Sequence, residues 1–392
     1  MGKKLTINNV NEAASLVLTK AIEANQKGTF AVGGCIIENA TGKLIVALNN
    51  NVLVPLQNGD VFTKDPTAHG ERLLVSWYYE NKDKLGLQTP EHYTVVTSLD
   101  PCVMCTGALL RAGFNIGIIA HDYYGGINYN SDFEFFALPS NLREQAKKYF
   151  TYYAVGESEM APEQLRRRFQ GTDTSIFAKD LLSLSNLRGC QTIFTESIAS
   201  TREALKITNV PPDKLKDPAN LPDEAPVKRA YRQKYSKAFN LKLKNFQLNE
   251  DLLKALEETA GSENSDAVAF IDCFGNLLLC SPTRQDISPI QTAFMEVSQS
   301  YAKIRWELMN DPKTQEQATK YLTAPIHGIF VFLYAPDPQD VLTFITLGAY
   351  GSTIEGHILK TLPLHFQYYY PPKNGTIEEL ITTISNLPPF YR

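Results

Sequence analysis

Two short strings constrain this chain more than any other part of it: Thr67-Ala68-His69-Gly70-Glu71 and Pro101-Cys102-Val103-Met104-Cys105. The first offers an imidazole and, two residues later, a carboxylate. The second offers two thiols at i and i+3, which share one face when the segment is helical. One histidine and two cysteines make a three-ligand zinc set, and three protein ligands leave the fourth tetrahedral position open. Water at such a position loses a proton near neutral pH and becomes a nucleophile. Glu71 stands beside His69 without having to bind the ion, so its carboxyl is available to carry a proton. Any fold that uses both strings must bring two separate stretches of chain to one point.

His-x-Glu followed by Pro-Cys-x-x-Cys is the pattern of zinc deaminases that act on cytosine or adenine. On these residues the chain resembles the cytidine and deoxycytidylate deaminase superfamily. Gly70 and the continuation Cys105-Thr106-Gly107-Ala108 look closest to its cytosine, guanine and nucleoside deaminases. The related tRNA adenosine deaminases more often carry Ala where Gly70 stands.

The resemblance implies an α/β fold: a three-layer α/β/α domain with a mixed five-stranded sheet. It also implies Zn2+ held by His69, Cys102 and Cys105, with Glu71 as the catalytic acid and base. Family members hold the base with an Asn just past the second strand. Asn49, Asn50 and Asn51 crowd that place, and counting from Leu44 selects Asn51. A backbone N–H near Ala68 or Gly70 would assist. Asp122, in the run His121-Asp122-Tyr123-Tyr124, lies where the family's variable C-terminal segment borders the pocket. A Cys-x-x-Cys alone also fits half a structural zinc site or a redox pair. A scaffold with structural zinc that binds nucleic acid or a partner is therefore the non-enzymatic alternative.

Composition narrows the field. A chain of 392 residues, 43% hydrophobic, suggests two or three domains at about 150 residues each. A net charge of −4 speaks against wholesale wrapping of nucleic acid, though not against a local basic strip. No apolar run reaches the ~18 residues of a membrane span, and the first residues lack the apolar core of a signal peptide. Six cysteines show no disulfide framework, which fits a reducing cytoplasm.

Along the chain, residues 8–26 read as an amphipathic helix. Phe30 to Ile37 and Leu44 to Leu48 read as strands joined by the turn Asn39-Ala40-Thr41-Gly42, and a polar loop runs from Asn49 to Lys64. Asp65-Pro66 and Asp100-Pro101 each look like a helix cap followed by proline at the first helical position. Tyr93 to Thr97 and Ile116 to Ala120 read as further strands, and Ser140 to Phe169 as helix. These elements predict a catalytic domain over 1–160, a helical connector with a Pro-rich linker over 161–247, and a second domain over 248–392. Within the connector, residues 228–244 hold seven Lys or Arg and no acid. Tyr231, Tyr235 and Phe239 recur there at spacing four, and as a helix the segment would offer RNA a basic strip with stacking rings.

Residues 248–392 echo the first domain. Ala267-Val268-Ala269 matches Ala31-Val32-Gly33, and Thr292-Ala293-Phe294-Met295 matches His69-Gly70-Glu71-Arg72. Asp337-Pro338 matches Asp100-Pro101, with Gln339 and Leu342 where the cysteines would be. This register predicts a degenerate copy without zinc ligands. Family members assemble as dimers or tetramers, so the resemblance implies either a homodimer or an intramolecular pseudo-dimer. The function expected is hydrolytic deamination of a small nucleobase or nucleoside, with a tRNA or other RNA base as the alternative substrate.

Overall fold

Asn9 sets the opening helix, α1 (Val10–Gln26): its side chain accepts a hydrogen bond from the Glu12 N–H. Val10, Ala13, Ala14, Val17 and Ala21 are buried along one stripe of that helix, the spacing an amphipathic helix needs. The computed structural model describes residues 5–130, 133–156, 174–207, 210–262, 265–340 and 365–386. It divides into two units, one made of residues up to 52 with 68–202, the other of 53–67 with 203–385.

In the first unit α1 is followed by the hairpin β1 (Gly33–Glu38) and β2 (Leu44–Asn49). Then come α2 (Gly70–Leu85), β5 (Tyr93–Leu99), α3 (Val103–Ala112) and β6 (Asn115–Ala120), and α4 (Ser140–Tyr149), β7 (Phe150–Tyr152) and α5 (Leu184–Ile207) complete it. The strands form one mixed sheet in the order β2-β1-β5-β6-β7. Its first two joints are antiparallel and its last two parallel. Helices cover both faces. Adjacent residues of a strand face opposite ways, and both glycines opening β1 meet a helix. A Cβ on Gly33 would sit 2.3 Å from the Val17 carbonyl of α1, and one on Gly34 would sit 2.9 Å from Leu74 of α2.

Two expectations need correction. The helix expected to run from 140 to 169 stops at Tyr149, where Phe150–Tyr152 joins the sheet edge; residues 157–169 lie outside the described ones. The stretch 161–247 is not one connector either. Cys190, Phe194 and Ile198 of α5 are buried with α1 in the first core. Tyr231 and Leu243 are buried in the second unit.

That second unit contains the short hairpin β3 (Leu53–Pro55) and β4 (Val61–Thr63), then α6 (Pro226–Lys234), α7 (Glu250–Ala260), β8 (Ala267–Ile271), β9 (Leu277–Pro282) and α8 (Ala293–Asn310). α9 (Gln315–Tyr321), β10 (Ile329–Tyr334), β11 (Phe366–Tyr370) and α10 (Ile377–Ser385) follow. The β3–β4 hairpin packs on α8: Trp306 Nε1 donates to the Val54 carbonyl at 3.1 Å, and the Arg305 guanidinium lies 4.5 Å from the Phe62 ring centre. α6 ends at Lys234, so Tyr231, Tyr235 and Phe239 do not line one helical face. The cations there find acids that lie outside the segment in sequence. Lys228 and Arg232 pair with Asp223, Lys234 with Glu296, Lys237 with Glu258, and Lys242 with Asp217.

The second sheet, β9-β8-β10-β11, repeats the first four strands of the first sheet in order and direction. Both hairpins shift register at one place, between Ile36 and Ile37 and between Phe270 and Ile271. Counted from that shift, Gly34 pairs with Thr97 where Val268 pairs with Phe332, so the strand matches expected from sequence, Val32 with Val268 and Asp100 with Asp337, are each off by two residues. The parallel joints agree, with Thr97 opposite Ile118 and Phe332 opposite Tyr368. The helices agree as well, since His69 caps α2 and Thr292 caps α8. Glu71 and Thr97 of one unit thus occupy the places of Phe294 and Phe332 in the other. Gln339 is described, whereas Leu342 lies outside the described residues. No described helix is long and apolar enough to cross a membrane.

Candidate metal centre

Two of the three candidate ligands are helix caps themselves. His69 is the N-cap of α2, extended at φ −68 and ψ 150, and its side chain makes no capping bond. Cys102 is the N-cap of α3, and its Sγ accepts from the Cys105 N–H at 3.5 Å. This displaces the caps expected from the Asp-Pro pairs. Asp65 Oδ1 instead accepts from the Thr67 N–H and hydroxyl, an Asx turn. Asp100 turns inward. With Cys102 at the cap and Cys105 in the first turn, both sulfurs sit where the helix end favours negative charge.

The His69, Cys102 and Cys105 ligand atoms all lie within 4.8 Å of one another. Zinc bonds of about 2.3 Å to sulfur and about 2.0 Å to nitrogen, at the tetrahedral angle, place ligand atoms about 3.5 to 3.8 Å apart. Cys102 Sγ is 3.5 Å from His69 Nδ1. The donor set and its spacing fit Zn2+. The Cys105 thiol, hydrogen-bonded to Cys102, and the His69 imidazole hold Cys102 well below the usual thiol range. Burial, then the neighbouring Cys102 sulfur, pushes Cys105 up.

Glu71 lies in the first turn of α2 and is 3% exposed. Its Oε1 is 3.0 Å from the Thr97 hydroxyl on β5. Burial, then the Cys102 sulfur, raises the carboxyl above its ordinary value. Thr97 escaped the sequence reading because a β-branched residue in a strand looks like simple strand chemistry. Its pairing with Gly34, the residue facing α2, is what aims it at Glu71.

The other expected contacts separate cleanly. Asn49 Nδ2 donates to Glu23, and Asn50 Oδ1 accepts from the Thr29 hydroxyl and the Val52 N–H. Asn51 lies beside the ligand turn, its N–H donating to the Ala68 carbonyl at 2.8 Å. Gly70 is tight: a Cβ there would come to 3.2 Å from the Val32 carbonyl. Asp122 Oδ1 closes a turn by accepting from the Tyr124 and Gly125 N–H groups, and burial raises its pKa to about 7. Tyr123 and Tyr124 are exposed beyond it.

The family model for the cytidine and deoxycytidylate deaminase zinc-binding region matches residues 8–120. A cytosine deaminase of Candida albicans (strain SC5314 / ATCC MYA-2876) is 30% identical over 99 residues, covering 25% of this chain and 57% of that protein. The chain thus spans a little over half the length of this relative. Among solved structures, a guanine deaminase from Nitrosomonas europaea is similar at 17% identity and a TM-score of 0.32, over 50% of this chain and 89% of that one. A structure from work on tRNA:A34 deaminases matches at 22% identity and a TM-score of 0.24, over 29% and 79%. The matched region, with its mixed five-stranded sheet and its converging histidine and two cysteines, is similar to the cytidine and deoxycytidylate deaminase zinc-binding region.

Proposed function

We propose that this chain is a zinc-dependent hydrolytic deaminase of an amino-substituted nucleobase or nucleoside, with ammonia as one product. The observation that carries the reading is one buried carboxyl, Glu71, on the same helical turn as a ligand of a three-donor set. Zinc held by His69, Cys102 and Cys105 supplies Lewis acidity and a water acidified to near neutrality. Glu71 takes the proton of the attacking water and returns it to the departing amine. Its burial moves the carboxyl toward the working pH, where proton transfer in both directions is efficient. The Thr97 hydroxyl fixes the orientation of that carboxyl. Asn51 offers a donor and an acceptor to the edge of a ring. The backbone at Ala68 and Gly70, with Asp122, completes the substrate contacts we assign.

A free base or nucleoside is favoured over RNA. Gly70 and the cytosine deaminase relative support the former. Five of the seven cations of 228–244 already face carboxylates, which weakens that segment as an RNA strip. We further read the second unit as a degenerate, metal-free copy of the first, supported by the shared register of its sheet. The six free cysteines support a reducing, cytoplasmic setting.

The test is metal content, followed by ammonia release from cytosine, guanine, adenine, their nucleosides and total tRNA. Glu71→Ala is expected to keep zinc and lose turnover, and Cys102→Ala to lose both. Normal ammonia release from the Glu71 variant refutes the acid–base role of that carboxyl. A zinc-loaded protein inactive across the panel favours the binding scaffold.

A further inference from the structure

The Asp-Pro pair that fails as a helix cap leads to a second set of residues. Asp100 is 1% exposed and lies two residues before the ligand Cys102. Its Oδ1 accepts from the Tyr152 hydroxyl at 2.5 Å, and its Oδ2 accepts from the Asn128 N–H at 3.0 Å. The Asn128 side-chain amide donates to the Tyr152 hydroxyl oxygen at 2.8 Å, and its Oδ1 accepts from the Phe135 N–H at 3.0 Å. These bonds close a ring through three residues, with the Asn128 backbone as one link, drawn from the end of β5, the segment after β6, and β7. The same segment after β6 grips the backbone on both sides of Pro101. The Ile127 N–H donates to the Pro101 carbonyl at 2.9 Å, and Gly126 forms an isolated antiparallel bridge with Cys102. Gly126 admits no side chain, because a Cβ there would lie 2.3 Å from Asp100 Oδ2.

A buried carboxylate is a poor way to stabilise a fold, since apolar residues of similar volume usually do as well or better. Its place here, behind a turn whose next side chain is a ligand, suits pre-organisation instead. Groups that orient metal ligands from behind typically contribute about 10- to 100-fold to metal affinity or activity. We propose that Asp100, Tyr152 and Asn128 are positioning residues that hold the Pro101-Cys102 turn, and so the Cys102 sulfur, in register for the metal. This rests on the zinc reading of the site, but not on any particular substrate.

The experiment uses the full chain and reads metal binding directly: zinc affinity by competition with a chelator, and the sulfur-to-cobalt absorption of the Co2+-substituted protein. Tyr152→Phe removes one hydroxyl and keeps the ring. It is expected to weaken zinc about tenfold and to alter the cobalt spectrum. Tyr78→Phe is the control, since it deletes a hydroxyl bond to the Gln88 carbonyl elsewhere in the same unit. It is expected to lower stability without moving either readout. Gly126→Ala, which drives a methyl against Asp100, reaches the same turn by another route and is expected to weaken zinc like Tyr152→Phe.

Zinc affinity within twofold of the parent and an unchanged cobalt spectrum for both Tyr152→Phe and Gly126→Ala overturn the proposal. An equal loss of affinity in Tyr78→Phe also overturns it, because general loosening would then be the cause. Failure of the parent to bind zinc is a different result: it removes the metal site itself and, with it, the proposed function.

Discussion

Replacing Phe294 by Ala probes the residue of the second unit that stands in the register position of Glu71. Phe294 is 1% exposed. Its ring lies edge-on to Phe330 at 5.1 Å, stacked on Phe332 at 5.8 Å with planes 19° apart, and edge-on to Phe366 at 6.4 Å. Truncating a buried phenylalanine costs about 3–5 kcal/mol. Three ring pairs, each contributing about 0.5–1.5 kcal/mol, place this site toward the upper end. With a urea m-value of about 2 kcal/mol/M, the midpoint should fall by about 2 M.

The chain has two tryptophans, one per unit, which gives the assay its resolution. Trp77 lies in α2 and Trp306 in α8. In a Trp77→Phe background, Trp306 fluorescence follows the second unit. In a Trp306→Phe background, Trp77 follows the first, where no change in zinc content is expected. A drop of less than about 0.5 M in the Trp306 transition would mean that the rings do not fill a packed site, and the account of the second unit would fail.

Three further outcomes are expected. Removing zinc with a chelator should lower the Trp77 transition and leave the Trp306 transition in place, because all three candidate ligands lie in the first unit. Thr97→Val should lower kcat about tenfold, or about 1.4 kcal/mol, with zinc content unchanged; equal kcat would remove Thr97 from the mechanism. Burial raises the Asp272 pKa to about 6, from an ordinary 3.8. The folded state therefore holds a proton that the unfolded chain releases, so its stability falls as pH rises from about 4 to about 6, by about 3 kcal/mol in total. Asp272→Asn should flatten that slope in the Trp306 transition, and an unchanged slope would contradict the assignment.

The convergence of His69, Cys102 and Cys105 was legible because metal chemistry restricts residue type and spacing together. The helix starts were misplaced for a related reason. Asp65 and Asp100 have the composition of caps, but His69 and Cys102 take the cap positions so that their side chains converge. Thr97, Tyr152 and Asn128 carried no signal, since their roles arise from pairing between distant strands and loops. The basic segment departed from the single helix expected of it because α6 ends at Lys234, and the acids its cations meet, Asp217, Asp223, Glu258 and Glu296, lie outside it in sequence. The inner repeat was visible at Thr292 and Phe294, whereas Phe332 looked like one more apolar strand residue until the register placed it opposite Val268.

That register has an evolutionary consequence. A carboxyl against a hydroxyl is a matched pair, and so is a ring against a ring. A carboxyl pressed on a ring, or a hydroxyl left facing one, is neither. Each half of the chain therefore sits at its own local optimum, and the route between them crosses a mismatched intermediate whichever residue changes first. Placing a carboxyl and a hydroxyl at 294 and 332 would therefore take coordinated replacement, because neither single change leaves a matched pair.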